Sequence, residues 1–217
     1  MPDGRSFQHV PAPIEALHRA LTSELPGWKA QALACPPGRP RDVEERLQGA
    51  RKAGVLVLIC PTEDGRWGVV LMRRTHDGSP HSGQLSFPGG AEEYGDGGDL
   101  CATARRECWE ELGVAVDEAH VVGPLTSLYI PPSDFWVQPY VAWTDRLPEF
   151  ALQADEVADA FVHPLDELPD PREVWPSCEV VARNRTWNVP GWPCRGAVLW
   201  GATAMMLAEL RWLWGNR

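Results

Sequence analysis

Three glutamates crowd into five residues just ahead of a glycine, in Arg106-Glu107-Cys108-Trp109-Glu110-Glu111-Leu112-Gly113-Val114. On a helix each residue advances about 100°, so Glu107, Glu110 and Glu111 fall within a third of the circumference. Like charges at i,i+3 and i,i+4 repel by roughly a few tenths of a kcal/mol per pair. A cation explains acids packed this way better than packing does. Hard cations such as Mg2+ take carboxylate oxygens and keep several waters for substrate phosphates. The spacing predicts a helix over Leu100–Leu112, with Asp99 as N-cap and Gly113 as the stop. Ala104, Cys108 and Leu112 make an apolar stripe beside the acids, so one flank of this helix belongs on a core.

The 217 residues are enough for one domain with a sizeable core. A formal charge of −10 argues against non-specific nucleic-acid binding, which needs a basic surface. It leaves small phosphorylated substrates open, because a metal can supply local positive charge. The stretch from Arg39 to Lys52 is basic but interrupted by Asp42, Glu44 and Glu45, and reads as solvated surface. Cysteines at 35, 60, 101, 108, 178 and 194 show no C-x-x-C spacing, which argues against a zinc ribbon or redox motif. Cys60 and Cys108 read as small buried hydrophobes, and a reducing cytoplasm is the natural compartment. Met1 to Arg5 does not open a signal peptide, and no apolar run reaches membrane-spanning length. Six of eleven tryptophans fall in the last 43 residues, so that end is expected to pack onto the core rather than form a base-stacking platform.

Periodicity predicts a short amphipathic helix over Ile14–Leu25, then a Pro- and Gly-rich loop to Asp42. Ala53–Cys60 is a continuous apolar run, as in a strand buried on both faces. Glu63-Asp64-Gly65 turns it into a return strand at Trp67–Met72. A loop with His76 and His81 follows, then a short extended Gln84–Phe87 broken by Pro88-Gly89-Gly90. Further strands are expected at Val121–Tyr129, Val137–Trp143, Ala160–Val162 and Val180–Trp187, with a final helix at Ala197–Leu213. Strands and helices mix without strict βαβ alternation, so the expected fold class is α/β (α+β), a mixed sheet covered by helices.

Gly90 through Val114 resembles the Nudix box, G-x5-E-x7-R-E-U-x-E-E-x-G-U with U aliphatic. Arg106, Glu107, Glu110, Glu111, Gly113 and Val114 match its second half, with Cys108 at the first U. Asp96 stands where the pattern has its first Glu, and the gap to Arg106 is two residues longer. Gly97 and Gly98 would let the loop absorb them. Arg74, Gly83 and Phe87-Pro88-Gly89-Gly90 are similar to the segment that precedes the box in coenzyme A pyrophosphatases. Leu128 to Ser133 and Trp200 to Ala204 are also similar to that subgroup. Val70, Met72, Thr75 and Ser79 depart from it, and Ser79 replaces its second arginine.

The resemblance implies a Nudix fold with the sheet sandwiched between helices. It puts the hydrolase domain at residues 46–217, and an N-terminal helix and loop at 1–45 packed on the core. It implies Mg2+ or Mn2+ as cofactor. Glu107 and Glu111 would hold the principal metal, and Glu110 is a third ligand or acts through water. Arg106 orients carboxylates, since a guanidinium can fix one bidentately. Gly89 and Gly90 allow close backbone approach to metal-bound water or phosphate. Arg74, His81 and Gly83 are candidate substrate contacts, though His76 and His81 also read as plain polar loop residues. The family often has an additional acid outside the box; Glu156 is the candidate, the alternative being an exposed acid at a strand start.

The implied activity is hydrolysis of coenzyme A or acyl-CoA to 3′,5′-ADP and (acyl-)4′-phosphopantetheine. Ser79 keeps open a pyrophosphatase for ADP-ribose, NADH or another nucleoside diphosphate derivative. A third reading, from another class, is a nucleotide-binding sensor without catalysis, against which the complete glutamate set argues. The expected partner is a small nucleoside diphosphate derivative, with neither nucleic acid nor membrane, and a homodimer is left open.

Overall fold

A computed structural model of the chain describes residues 10–39, 49–76, 78, 81–182 and 185–215. The first residues, the acids Asp42, Glu44 and Glu45, and Ser79 lie outside them. The apolar run is the middle of strand β1, Arg51–Pro61. It pairs in parallel with β7, Phe135–Trp143, and antiparallel with β2, Trp67–Arg74, and β4, Gly89–Ala91. Strands β3 (Leu85–Ser86) and β8 (Val157–Pro164) pair with β2; β5 (Val121–Pro124) and β6 (Leu128–Ile130) pair with β7. Together they form one mixed sheet of eight strands. A second, antiparallel sheet holds β9 (Ser177–Ala182), β10 (Arg185–Cys194) and β11 (Ala197–Trp200).

The period of two along β1 explains why every residue of its run is apolar. Leu56, Leu58 and Cys60 pack beneath helix α3 (Leu100–Leu112), against Ala104, Cys108 and Leu112. Val57 and Ile59 point the other way, into a core shared with α1 (Ala12–Leu21) and α4 (Gly201–Gly215). Each such side chain contributes roughly 1.5–3 kcal/mol when fully buried. The sheet therefore lies between helices, as expected. Helix α4 is apolar nearly all round because it is buried nearly all round. Its one buried acid, Glu209, accepts from Thr126 Oγ1 at 2.6 Å and from Gln31 Nε2 at 2.9 Å. Gln31 ends a short helix α2, Trp28–Gln31, in the segment expected to be loop.

Several elements differ from expectation for local reasons. Helix α1 stops at Leu21, where Thr22 and Ser23 hydroxyls donate back to the carbonyls of His18 and Arg19. The strand expected over Val121–Tyr129 is two, because Thr126 N–H turns to the Glu209 carboxylate, 3.3 Å away. The strand expected at Val180–Trp187 is a hairpin, with Ala182 opposite Arg185. The last helix starts at Gly201 rather than Ala197. Arg195 and Gly196 both take positive φ, 44° and 73°, as a two-residue hairpin turn requires, and Ala197–Trp200 pair back onto β10.

Helix α3 seats directly on β1 at Gly54. A Cβ there would lie 2.1 Å from the Leu100 carbonyl oxygen and 2.8 Å from Ala104 N. Helix backbone cannot move aside as a flexible side chain would, so this glycine sets the depth of the acid-bearing helix. Gly54→Ala should lower stability by about 2 kcal/mol or more in urea unfolding. Gly49→Ala, with nothing within 4 Å of its Cβ, should change it little.

Candidate active site

Helix α3 begins at Asp99, whose side chain accepts from Cys101 N–H at 2.8 Å, and ends at Gly113 in the left-handed region, φ 70°. Between these caps the acids divide. Glu111 is 2% exposed. Its Oε2 accepts from Gly89 N–H at 2.9 Å, and its Oε1 lies 3.4 Å from Arg74 Nη1. Glu107 is half-sheltered against β4: a Cβ on Gly90 would lie 2.4 Å from its Oε1, so a side chain there would displace this carboxylate. Glu110 points outward, its side chain 54% exposed.

Arg106 ties the loop to the helix. Its Nε and Nη2 each donate at 3.0 Å to Asp96, its Nη1 to Glu107 at 2.9 Å and Glu110 at 2.8 Å, and its Nη2 to the Ala91 carbonyl at 3.1 Å. Asp96 also accepts from Thr103 Oγ1 at 2.8 Å and Glu93 N–H at 2.9 Å. The two extra loop residues, Gly97 and Gly98, take φ of 66° and 84°, which glycine adopts without strain. Asp96 thus reaches Arg106 despite the longer loop. Sequence reasoning placed Asp96 in the pattern but left it out of the working set; its spacing from Gly90 was the available signal.

Glu156 lies within electrostatic reach of Glu107 and Glu111. Gln153 N–H and Ala151 N–H bond the carbonyls of Glu111 and Leu112, which ties the approach to β8 onto the end of α3. Glu156, immediately before β8, accepts from Thr75 N–H through its carbonyl at 2.9 Å. Its charge acts on both Glu107 and Glu111. Burial pushes the Glu111 carboxyl up to about 8; Gly89 N–H and Arg74 oppose this, while the charges of Glu107 and Glu156 add to it. Glu107 is raised as well, again chiefly by burial. Burial pushes the thiols of Cys60 and Cys108 up to about 12, which leaves these two unsuited to nucleophilic work.

Among the described residues no three His, Cys, Asp or Glu side chains converge into a ready metal nest. Arg106 draws Glu107 and Glu110 to itself, and Gly89 holds Glu111. The donor set nevertheless suits a hard divalent cation: mutually repelling carboxylates, one of them nearly fully buried beside a single offset guanidinium. The expected contribution of Gly89 N–H to a substrate is already committed to Glu111.

A cavity of about 620 Å³ opens beside this cluster, with Arg74, His81, Gly89 and Gly90 in its wall. The size is typical of small-molecule sites. His81 Nδ1 lies 3.3 Å from Gln84 Oε1, and Gly83, φ 69°, lets the His76 ring pack where a Cβ would stand, 2.3 Å from its Cε1. Gly83 therefore shapes the loop, while His81 borders the cavity. Trp187 and Trp200 also line it, whereas Trp175 and Trp214 are core residues.

The sequence of residues 50–183 matches the family model for the NUDIX domain. The chain belongs to the Nudix family. It is 34% identical over 165 residues to the uncharacterised Nudix hydrolase NudL of Pectobacterium atrosepticum, covering 74% of this chain and 81% of that protein. It is 32% identical over 127 residues to the peroxisomal coenzyme A diphosphatase ndx-8 of Caenorhabditis elegans, covering 58% of this chain. The chain spans about half the length of that nematode relative, 54%. A MutT/nudix family protein from Enterococcus faecalis superposes with a TM-score of 0.54 over 93% of this chain and 74% of its own, at 13% identity, a likeness of fold.

In this Nudix chain the Arg106 hydrogen bonds hold the Asp96 carboxyl well below the usual carboxylate range. A carboxyl depressed in the folded state adds stability above its unfolded pKa, about 3.9, and loses it as pH falls through the folded value. Asp96→Asn should therefore cost about 2 kcal/mol at pH 7 in urea unfolding. The gap from the parent should narrow only as pH drops below about 4.

Proposed function

We propose that this Nudix chain is a metal-dependent diphosphatase for coenzyme A or its acyl derivatives. One observation carries the reading: the glutamate cluster abuts Gly89 and Gly90 at one end of a cavity that continues into an apolar chamber. A diphosphate bearing a long arm fits that shape. The likeness to a relative named as a coenzyme A diphosphatase supports it. Products would be 3′,5′-ADP and (acyl-)4′-phosphopantetheine. Helix α1 and the loop to Arg39 belong to the same working unit, since Ile14, Leu17 and Leu21 enter the main core and Arg39 borders the cavity. Among the described residues no helix is long and apolar enough to cross a membrane, and a cytoplasmic setting matches six free thiols.

Glu107 and Glu111, with Glu110 alongside, would hold Mg2+ or Mn2+. Such an ion supplies charge neutralisation on phosphoryl oxygens and a water acidic enough to attack. Arg106 keeps Glu107 and Glu110 from splaying. Arg74 presents positive charge at the polar end of the cavity, toward the diphosphate. Gly90 leaves the room that the Glu107 carboxylate needs. Glu156, exposed and within electrostatic reach of the buried Glu111, accepts the proton of the attacking water as general base. Ser79, where the coenzyme A subgroup carries an arginine, is the specific feature that favours the second reading, an ADP-ribose or dinucleotide pyrophosphatase.

Assays of coenzyme A, acyl-CoA, ADP-ribose and NADH, with Mg2+ and Mn2+ side by side, test the proposal. Strongest turnover of a substrate without the pantetheine arm would overturn the coenzyme A reading in favour of the second. Glu111→Gln should cut kcat roughly 10³-fold with the circular dichroism spectrum unchanged. Glu156→Gln should cut kcat by about 10²-fold with little change in KM; full activity in that variant would remove Glu156 from the site.

A further inference from the structure

The cavity crosses the boundary of the Nudix domain. Its polar end, with Arg74, Gly89 and Gly90, lies within residues 50–183. Much of its apolar end is built from chain outside that span: Pro36 and Pro37 before it, and Trp187, Val189, Trp200 and Met206 after it, with Arg39, which donates to the Tyr129 carbonyl, the one charged side chain these segments add to the wall. Pro131 and Pro132 from the β6–β7 turn and Phe135 at the start of β7 add to the wall. Proline has no backbone N–H, so four prolines in this wall offer no main-chain donors to a base or a sugar. No carboxylate lines the cavity among the described residues.

Trp187 sits at the rim. It is 46% exposed, yet it lines the cavity, and its Nε1–H donates to the Ala182 carbonyl at 3.3 Å across the β9–β10 hairpin. That bond steadies a large apolar ring half in water, beside Ala182 and Val189, which also line the cavity. Of the two exposed tryptophans among the described residues, Trp109 and Trp187, Trp187 is the one that lines the cavity. Its apolar face would be covered when a hydrocarbon chain lies along it.

We propose that the two segments flanking the Nudix domain form a tail subsite for the acyl chain of a thioester substrate, with Trp187 as its specificity-determining residue. The inference rests on the coenzyme A reading above and deepens it: the enzyme selects acylated over free coenzyme A. Arg74, with the divalent cation that the carboxylate cluster would hold, fixes the diphosphate at one end, and the hydrocarbon fills the other. Each methylene moved from water into such a wall is worth a factor of about four at most. A tail far from the reacting phosphorus binds alike in ground and transition states, so the gain appears in KM rather than kcat.

The test is a series of coenzyme A, acetyl-CoA, hexanoyl-CoA and dodecanoyl-CoA with Mg2+, on the full chain and on Trp187→Ala and Trp187→Phe. In the parent, kcat/KM should rise on the order of tenfold or more from acetyl to hexanoyl, carried by KM. Trp187→Ala should flatten that dependence, and Trp187→Phe should restore most of it. A flat series in the parent overturns the tail subsite while leaving the coenzyme A reading intact, whatever the variants do. A steep series that Trp187→Ala leaves equally steep overturns the role of Trp187. Turnover of ADP-ribose with none of any coenzyme A compound overturns the reading and the inference together.

Discussion

The guanidinium of Arg106 is the point on which the site depends. It holds Asp96 on the loop, the Ala91 carbonyl on β4, and Glu107 and Glu110 on the helix. Without a cation of this shape, a loop rich in acids and glycines would meet a helix rich in acids, and the two would repel. Arginine suits the task because its planar fork serves several oxygens at once and stays charged when partly buried. The same contacts leave Glu111 as the acid without that help. It is pressed inward against Gly89 N–H, and burial raises its pKa to about 8. One helix thus carries acids in three settings: outward, half-sheltered and buried.

The depth of that helix depends on a second constraint, the absence of a side chain at Gly54. Gly54 and Gly90 face one another across β1 and β4. One admits the backbone of α3 and the other the carboxylate of Glu107. The acids therefore sit close over the sheet rather than a side chain's width above it. The cavity begins at this contact and runs toward the second sheet, where the chain after residue 183 takes over its lining. The carboxylates lie within the domain common to the family, whereas the apolar wall is shared between that domain and the chain on either side of it.

Much of this was legible in the sequence because it depends on local spacing. The limits of α3 followed from Asp99 and Gly113, and both cap as expected. The apolar run of β1 and the stripe Ala104, Cys108 and Leu112 named one core before any fold was known. Misreadings fell where long-range hydrogen bonds compete with local pattern. Glu209 pulls Thr126 out of a strand, and the Arg195-Gly196 turn spends four residues on β11 that helical periodicity had claimed. The tryptophan-rich end read as core, which holds for Trp175 and Trp214 but not for Trp187.

By itself the sequence determined the helix, the order and spacing of its acids, the glycines that flank it and hence the family. These are properties of neighbouring residues, and helical geometry converts their spacing directly into a shared face. Only the tertiary structure decided which acid is buried and that distant segments line one cavity. Burial and electrostatic coupling depend on which surfaces meet, and the residues that meet here lie as far apart as Pro36 and Trp187. No periodicity within one element records such a meeting.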